Sequence, residues 1–274
     1  MVIGDYLQFA FVQHALIAGA VVAIASGLLG PFVVTRRAAF AVHGTAELSF
    51  TGAAAGLVLA DDAVAGALIG TVIVGIAIGL LGVRERERDS AIGVILAFGL
   101  GVGVWLLSKY HGFTNSATAI LFGSIFTVSD DQIWLLIAVA GGVLVAMTAL
   151  YRPLLFASVD PEVAEARGVR VRMVGLAFLV VLALTVTEAA QIVGTLLVLS
   201  LAITPAAAAQ RLSARPAVVT GLSVAFALIA SVGGLLASLE TPSVKASVWI
   251  TTISFAIYVL ARIAGAQLIV RKRS

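Results

Sequence analysis

Long apolar runs recur along this chain and restrict what it can fold into. A hydrocarbon core about 30 Å thick is crossed by roughly 20 apolar residues of α-helix. The runs lack the alternation of polar and apolar residues that transmembrane strands show. The sequence therefore predicts an all-α integral membrane protein of about nine transmembrane helices, near residues 9–34, 38–60, 63–83, 90–108, 132–150, 173–188, 191–210, 217–239 and 247–265.

The composition supports this fold class. Of the 274 residues, 61% are hydrophobic and only 11% are charged. A soluble domain needs roughly twice that charged fraction to cover its surface. The absence of cysteine excludes disulfides and thiolate metal sites.

With no linker or low-complexity tail, residues 1–274 are predicted to form a single domain. Gly66 and Gly70 have the small-xxx-small spacing of closely packed membrane helices.

The basic residues predict the orientation. All 17 lysines and arginines except Lys109 and Lys245 follow the first, third, fifth, seventh or ninth span. Basic residues are retained in the cytoplasm, so we expect the N-terminus outside and the C-terminus inside a bacterial cell membrane. This topology explains the net charge of +3 without a nucleic-acid partner.

Two ionisable residues stand out within the second span. His43 and Glu47 are four residues apart, so they share one face of a helix. They lie about 8 to 14 Å into the bilayer from the cytoplasmic side. A carboxylate there costs several kcal/mol unless it is paired or hydrated. The pair could bind a divalent metal such as zinc or manganese, or form a buried hydrogen bond between helices.

Other polar positions within the apolar runs are weaker candidates. Glu188 is expected at a turn near 187–194, where a solvated turn or helix cap is favoured over a metal ligand. For His14, a lone histidine, a satisfied core or interfacial residue is favoured over a metal ligand. Pro205 removes one backbone hydrogen bond and predicts a kink. Residues 109–131 are predicted to form a short helix that lies at the interface or dips partly into the membrane.

A short soluble helix is predicted after the fifth span. Asp160 suits its N-cap, Pro161 its first position and Gly168 its C-terminal stop. Such definition favours a docking surface for a cytoplasmic partner. The chain has no G-x-x-x-x-G-K-[ST] phosphate loop. We therefore expect no enzyme activity, and any ATP that drives transport must be hydrolysed by a partner.

The residues resemble the permease subunits of bacterial zinc and manganese ABC importers. The motif Asp160-Pro161-Glu162-x-Ala164-x-x-x-Gly168 is similar to their coupling helix. Four further segments agree in order: Arg37-x-x-Phe40, Ala91-Ile92-Gly93-Val94, Leu121-Phe122-Gly123-Ser124-Ile125, and Val193-Gly194-Thr195-Leu196-Leu197-Val198 running on to Thr204-Pro205-Ala206-Ala207-Ala208.

The resemblance implies a permease homodimer, two cytoplasmic ATPase subunits and an extracytoplasmic metal-binding protein. No cofactor is expected to stay bound, because the divalent metal is the transported substrate. The family usually carries Asp and then His, four residues apart, in the second span. Here His43 stands at the Asp position and Glu47 at the His position. Imidazole favours zinc, which we rank first, while oxygen donors favour manganese.

Two other classes of function stay open on the sequence. A stand-alone secondary transporter could couple substrate movement to protons through His43, Glu47 and Glu188. A structural membrane scaffold is a third interpretation. The buried His–Glu pair argues against a scaffold, because such a pair is an expensive way to pack helices.

Overall fold

The computed structural model describes residues 8–81, 85–110, 128–194, 198–241 and 244–271. Those residues form helices and no strand, which confirms the all-α prediction. In chain order the helices are α1 (Ala10–Thr35), α2 (Ala39–Ala60), α3 (Ala63–Leu81), α4 (Glu85–Leu107), α5 (Asp130–Val159), α6 (Pro161–Ala166), α7 (Val171–Val193), α8 (Val198–Ala202), α9 (Thr204–Leu212), α10 (Pro216–Glu240) and α11 (Ala246–Arg271).

Most of the described helices can cross a membrane. Seven are long and apolar enough by length and composition: α1, α3, α4, α5, α7, α10 and α11. The multi-pass membrane location is thus confirmed. Helix α2 has 22 residues but is more polar, because His43, Glu47 and several hydroxyl side chains lie in it. The number of crossings and their orientation stay predictions, and most of the predicted 109–131 helix lies outside the described residues.

The predicted seventh span, 191–210, is wrong as a continuous helix. Helix α7 runs through Val193 and ends at Gly194, whose φ is 92°. Helix α8 follows, and the helical structure is interrupted at Ile203. Helix α9 begins at Thr204 and has Pro205 in its first turn. Proline has no N–H to donate to the carbonyl four residues earlier, so the helix cannot continue unchanged past this position.

Helices α1 and α7 form the centre of the bundle. In their membrane-spanning stretches 67% and 61% of residues are buried, against 22% in α3 and 17% in α4. Helix α1 packs against α5, α7 and α10, and α7 also contacts α2 and α3. Helix α8 lies against α1, α2, α7 and α11, and α9 lies against α1, α10 and α11.

The close contact between α2 and α3 depends on glycine. A Cβ atom built on Gly66 of α3 would lie 2.5 Å from both the carbonyl oxygen of Gly52 and the Cα of Gly56 in α2. The two backbones therefore meet without side chains between them, which confirms the packing predicted from Gly66 and Gly70.

Candidate functional site

His43 lines a groove between α2 and the broken segment α8–α9. The groove has a volume of about 540 Å³ and is open rather than enclosed. On the α2 side, Phe40 lines the groove beside His43, and their ring centroids are 6.3 Å apart. Ser200 of α8 and Thr204 of α9 line the other side. The break at Ile203 brings the two hydroxyl residues to the groove from separate helices.

Glu47 lies one turn further along the same helix and is only 7% exposed. Within the described part of the chain, neither Glu47 Oε1 nor His43 Nδ1 has a hydrogen-bond partner, although both atoms are buried. The neighbouring hydroxyls differ, because Thr45 donates to the Ala41 carbonyl at 2.8 Å and Ser49 to that of Ala46 at 2.6 Å. The helix thus satisfies its hydroxyls and leaves one imidazole nitrogen and one carboxylate oxygen for another group.

The position predicted for Glu188 is wrong. Glu188 lies inside α7, five residues before its end, and is 2% exposed instead of standing at a solvated turn or cap. It lines a small cleft against Val64 of α3 and Gln132 of α5. Neither carboxylate oxygen has a hydrogen-bond partner among the described residues. The helix continues past Glu188 to Val193 and ends at Gly194, which has a positive φ.

The structure does not bring the three candidate ligands together. Glu188 faces α3 and α5, whereas His43 faces α8 and α9. Over the described residues no group of three or more His, Cys, Asp or Glu side chains could hold a metal. Ser200, which the sequence analysis missed, joins the groove only through the helix break. Ser200 is a single serine within an apolar run, and nothing in the local sequence indicates a functional role for it.

The short helix predicted after the fifth span is present as α6. The Asp160 carboxylate accepts a hydrogen bond from the Val163 backbone N–H at 3.0 Å, and Pro161 occupies the first turn. Ala164 is fully buried, while Glu162 is exposed. Gly168 has a φ of 86°, a left-handed conformation in which a Cβ is strained, so glycine suits this stop.

Polar contacts tie the end of α1 to both α5 and α9. Arg36 Nη1 donates to Ser158 Oγ at 3.3 Å, just before α6, and Gln210 Nε2 donates to Thr35 Oγ1 at 3.3 Å. These contacts link the segment before α6 with α9, the helix that carries Thr204.

The opposite end of the bundle is held by contacts between loops and helix ends. His14 Nε2 lies 3.1 Å from Asp130 Oδ1, so this histidine has a polar partner, as expected for a satisfied residue. The Tyr110 hydroxyl donates to Asp61 Oδ1 at 2.9 Å, and this hydrogen bond to a carboxylate raises the pKa of Tyr110.

Comparison with known proteins assigns the arrangement to a family. The model of the ABC 3 transport family matches residues 8–265. The chain belongs to the ABC 3 transport family. The match covers α2, α6 and the α8–α9 break, so the candidate groove and the capped helix both lie within the family region. The predicted resemblance to metal-importer permeases is confirmed.

Individual relatives of this family member are similar over most of its length. It is 31% identical to the manganese transport system membrane protein MntC of Halalkalibacterium halodurans, covering 84% of this chain and 79% of the relative. It is 34% identical to the manganese import system permease protein ScaB of Streptococcus parasanguinis, covering 74% and 72%. These relatives are transport proteins, so the chain is a permease and not an enzyme.

The fold also matches a solved relative. PsaBC from Streptococcus pneumoniae, solved in complex with Fab, superposes with a TM-score of 0.84 at 28% sequence identity, covering 94% of this chain and 93% of that chain. The helical architecture of this family member is therefore that of an ABC permease.

Proposed function

We propose that this chain forms the translocation path of an ATP-driven importer of divalent metal ions, with manganese as the first candidate and zinc as the second. The observation that carries the proposal is the pair of buried, unpartnered atoms on one face of α2, His43 Nδ1 and Glu47 Oε1. An imidazole nitrogen and a carboxylate oxygen without protein partners can bind a passing cation.

Manganese now ranks above zinc as the candidate substrate, whereas the sequence alone ranked zinc first. Zinc ranked first there because His43 is a nitrogen ligand. Ser200 and Thr204 add hydroxyl oxygens to the groove beside His43, the Glu47 carboxylate lies one turn further along α2, and oxygen donors suit manganese. The relatives MntC and ScaB are also named for manganese.

A second copy of the chain would complete the path. The groove at His43 is open and holds few ligands, whereas a transported cation needs several. In a homodimer two such grooves could face each other and supply two sets of ligands. Glu188, in its separate cleft, is a weaker candidate ligand for another step along the path. Residues 1–274 then form one transmembrane domain.

The α6 end of the bundle is proposed to face the cytoplasm. Arg36 and Arg172 lie at this end, and in this orientation the N-terminus is outside and the C-terminus inside. Asp160, Pro161, Glu162, Ala164 and Gly168 would form the coupling helix that a cytoplasmic ATPase subunit contacts. An extracytoplasmic metal-binding protein would deliver the ion to the opposite end.

Reconstitution in liposomes tests this function against proton-coupled transport. The chain with its ATPase subunit and binding protein should take up manganese only when ATP is supplied to the ATPase side. The chain alone should take up none under a proton gradient, because in this proposal only ATP hydrolysed by the partner subunit drives transport. Uptake by the chain alone with a proton gradient and without ATP would instead establish the secondary transporter.

Charge reversal on α6 tests the docking role. Glu162→Lys should abolish stimulation of the ATPase by the permease while leaving the fold intact, because Glu162 is exposed and caps nothing. Glu240→Lys is the matched control, because it changes one charge at the opposite end of the bundle. Copurification of the ATPase and its stimulated activity report the effect. Wild-type values for Glu162→Lys would remove the docking assignment.

A further inference from the structure

A second cavity lies beneath α6, apart from the His43 groove. It has a volume of about 550 Å³ and is bounded by the ends of α1 and α5, by α6 and by the first turns of α7. It shares no lining residue with the groove at His43. The cavity is therefore separate from the groove that holds the candidate metal ligand His43.

Two arginines give the cavity its positive charge. Arg36 is half-buried and held in place, since it donates to Ser158 Oγ and its guanidinium carbon lies 5.7 Å from the centre of the Phe178 ring. Arg172 is exposed and forms no hydrogen bond or ion pair with another residue that the structure describes. The guanidinium group of Arg36 is thus held at the cavity wall, and that of Arg172 can reach towards a ligand.

The hydroxyl groups of the cavity are already used as donors. Ser158 donates to the Leu154 carbonyl at 2.6 Å, and Thr35 donates to the Pro31 carbonyl at 2.8 Å. The guanidinium groups are therefore the side chains that can donate hydrogen bonds to an anion. Guanidinium N–H groups match the geometry of phosphate oxygens.

The remaining wall is apolar. Leu176 and Leu179 of α7 line the cavity, and Gly79 of α3 lies in close contact with both leucine side chains at its edge. A soluble anion would fill only the polar side of such a space. A ligand with a phosphate head and hydrocarbon chains would contact both sides.

Glu165 of α6 lowers the net positive charge of the cavity lining. Its carboxylate lines the cavity but forms no ion pair with Arg172. Two guanidinium groups and one carboxylate leave a single net positive charge. This charge matches a phosphodiester, which has one negative charge, better than inorganic phosphate, which is partly a dianion at neutral pH.

We propose that this cavity binds the phosphodiester headgroup of an anionic phospholipid, with Arg36 and Arg172 on the phosphate and the acyl chains along Leu176 and Leu179. The inference rests on the proposed orientation, which places the cavity at the cytoplasmic leaflet. Basic pockets between helices on that side bind anionic lipid headgroups.

Native mass spectrometry of the full-length chain, purified in a neutral detergent, tests the site. Phosphatidylglycerol is titrated into the wild type and three variants, with phosphatidylcholine and inorganic phosphate as separate arms. Arg172→Gln should weaken binding of the first phosphatidylglycerol by about fivefold, the effect of one basic side chain near an anionic headgroup. Arg172 is exposed and unpaired among the described residues, so its variant should fold normally.

The other two variants set the sign and the specificity. Glu165→Gln should strengthen phosphatidylglycerol binding, because it removes the opposing charge. Arg170→Gln is the matched control, since it removes one charge two residues away and does not line the cavity. Phosphatidylcholine should bind more weakly, and inorganic phosphate should not displace the lipid.

Three results would overturn the assignment. Equal losses in Arg170→Gln and Arg172→Gln would indicate only general attraction to a basic surface. Unchanged binding in Arg172→Gln would remove the site. Displacement of phosphatidylglycerol by inorganic phosphate would assign the cavity to a soluble anion. The readout contains no metal, so failure here is distinct from failure of the transport proposal.

Discussion

Glu47→Gln and His43→Ala should each lower manganese uptake by about tenfold or more, because loss of groups that support a metal site already costs 10–100-fold. Each variant removes one of the two buried, unpartnered ligand atoms on α2. The amount of protein in the membrane should not fall, since neither atom forms a hydrogen bond that the described fold depends on. Uptake of radiolabelled manganese by cells, normalised to membrane protein, measures the effect.

Thr45→Ala is the matched control on the same helix. Its hydroxyl donates to the Ala41 carbonyl and is already satisfied, so uptake should stay near that of the wild type. The double variant His43→Asp with Glu47→His restores the ligand order typical of the family and should retain uptake. Wild-type uptake in both single variants would contradict the assignment of His43 and Glu47 to the path.

Gly66→Ala should destabilise the protein by about 1–3 kcal/mol, the cost of forcing extra atoms into a packed interior. The added methyl group would meet backbone atoms of Gly52 and Gly56 at 2.5 Å, and backbone cannot rotate aside as a side chain can. Helices α2 and α3 must therefore separate. Thermal unfolding of the purified chain, followed by tryptophan fluorescence, should show a lower midpoint than the wild type.

Gly142→Ala, also within a helix, should not destabilise the protein. Nothing lies within 4 Å of a Cβ built on Gly142 of α5, so alanine should leave stability unchanged or raise it by up to about 1 kcal/mol through its better helix propensity. A similar loss in both variants would indicate a general effect of replacing glycine and would contradict the specific α2–α3 contact.

Much of the fold follows from short-range properties of the sequence. Apolar runs require helices, because backbone polar groups in hydrocarbon must be paired within their own segment. Asp160, Pro161 and Gly168 define α6 through a cap, a fixed φ and a left-handed stop, all of which act within one or two turns. The glycine spacing at Gly66 and Gly70 likewise predicted close packing correctly.

The candidate site was only partly predictable. The face shared by His43 and Glu47 follows from helix periodicity. The hydroxyls of Ser200 and Thr204 join that face only through the break at Ile203. Pro205 indicated a disturbance in this helix, but no local rule gives the direction in which a broken helix continues.

The sequence by itself determined which segments are helical, where α6 is capped and which polar residues lie within apolar helices. Only the tertiary structure decided that Glu188 is buried in α7 instead of solvated at a turn, and that it faces α3 and α5 while His43 faces α8 and α9. It also decided that Arg36 and Arg172 share a cavity. The physical reason is that helix formation depends on neighbours along the chain, whereas burial and ligand convergence depend on side chains that meet across helices distant in sequence.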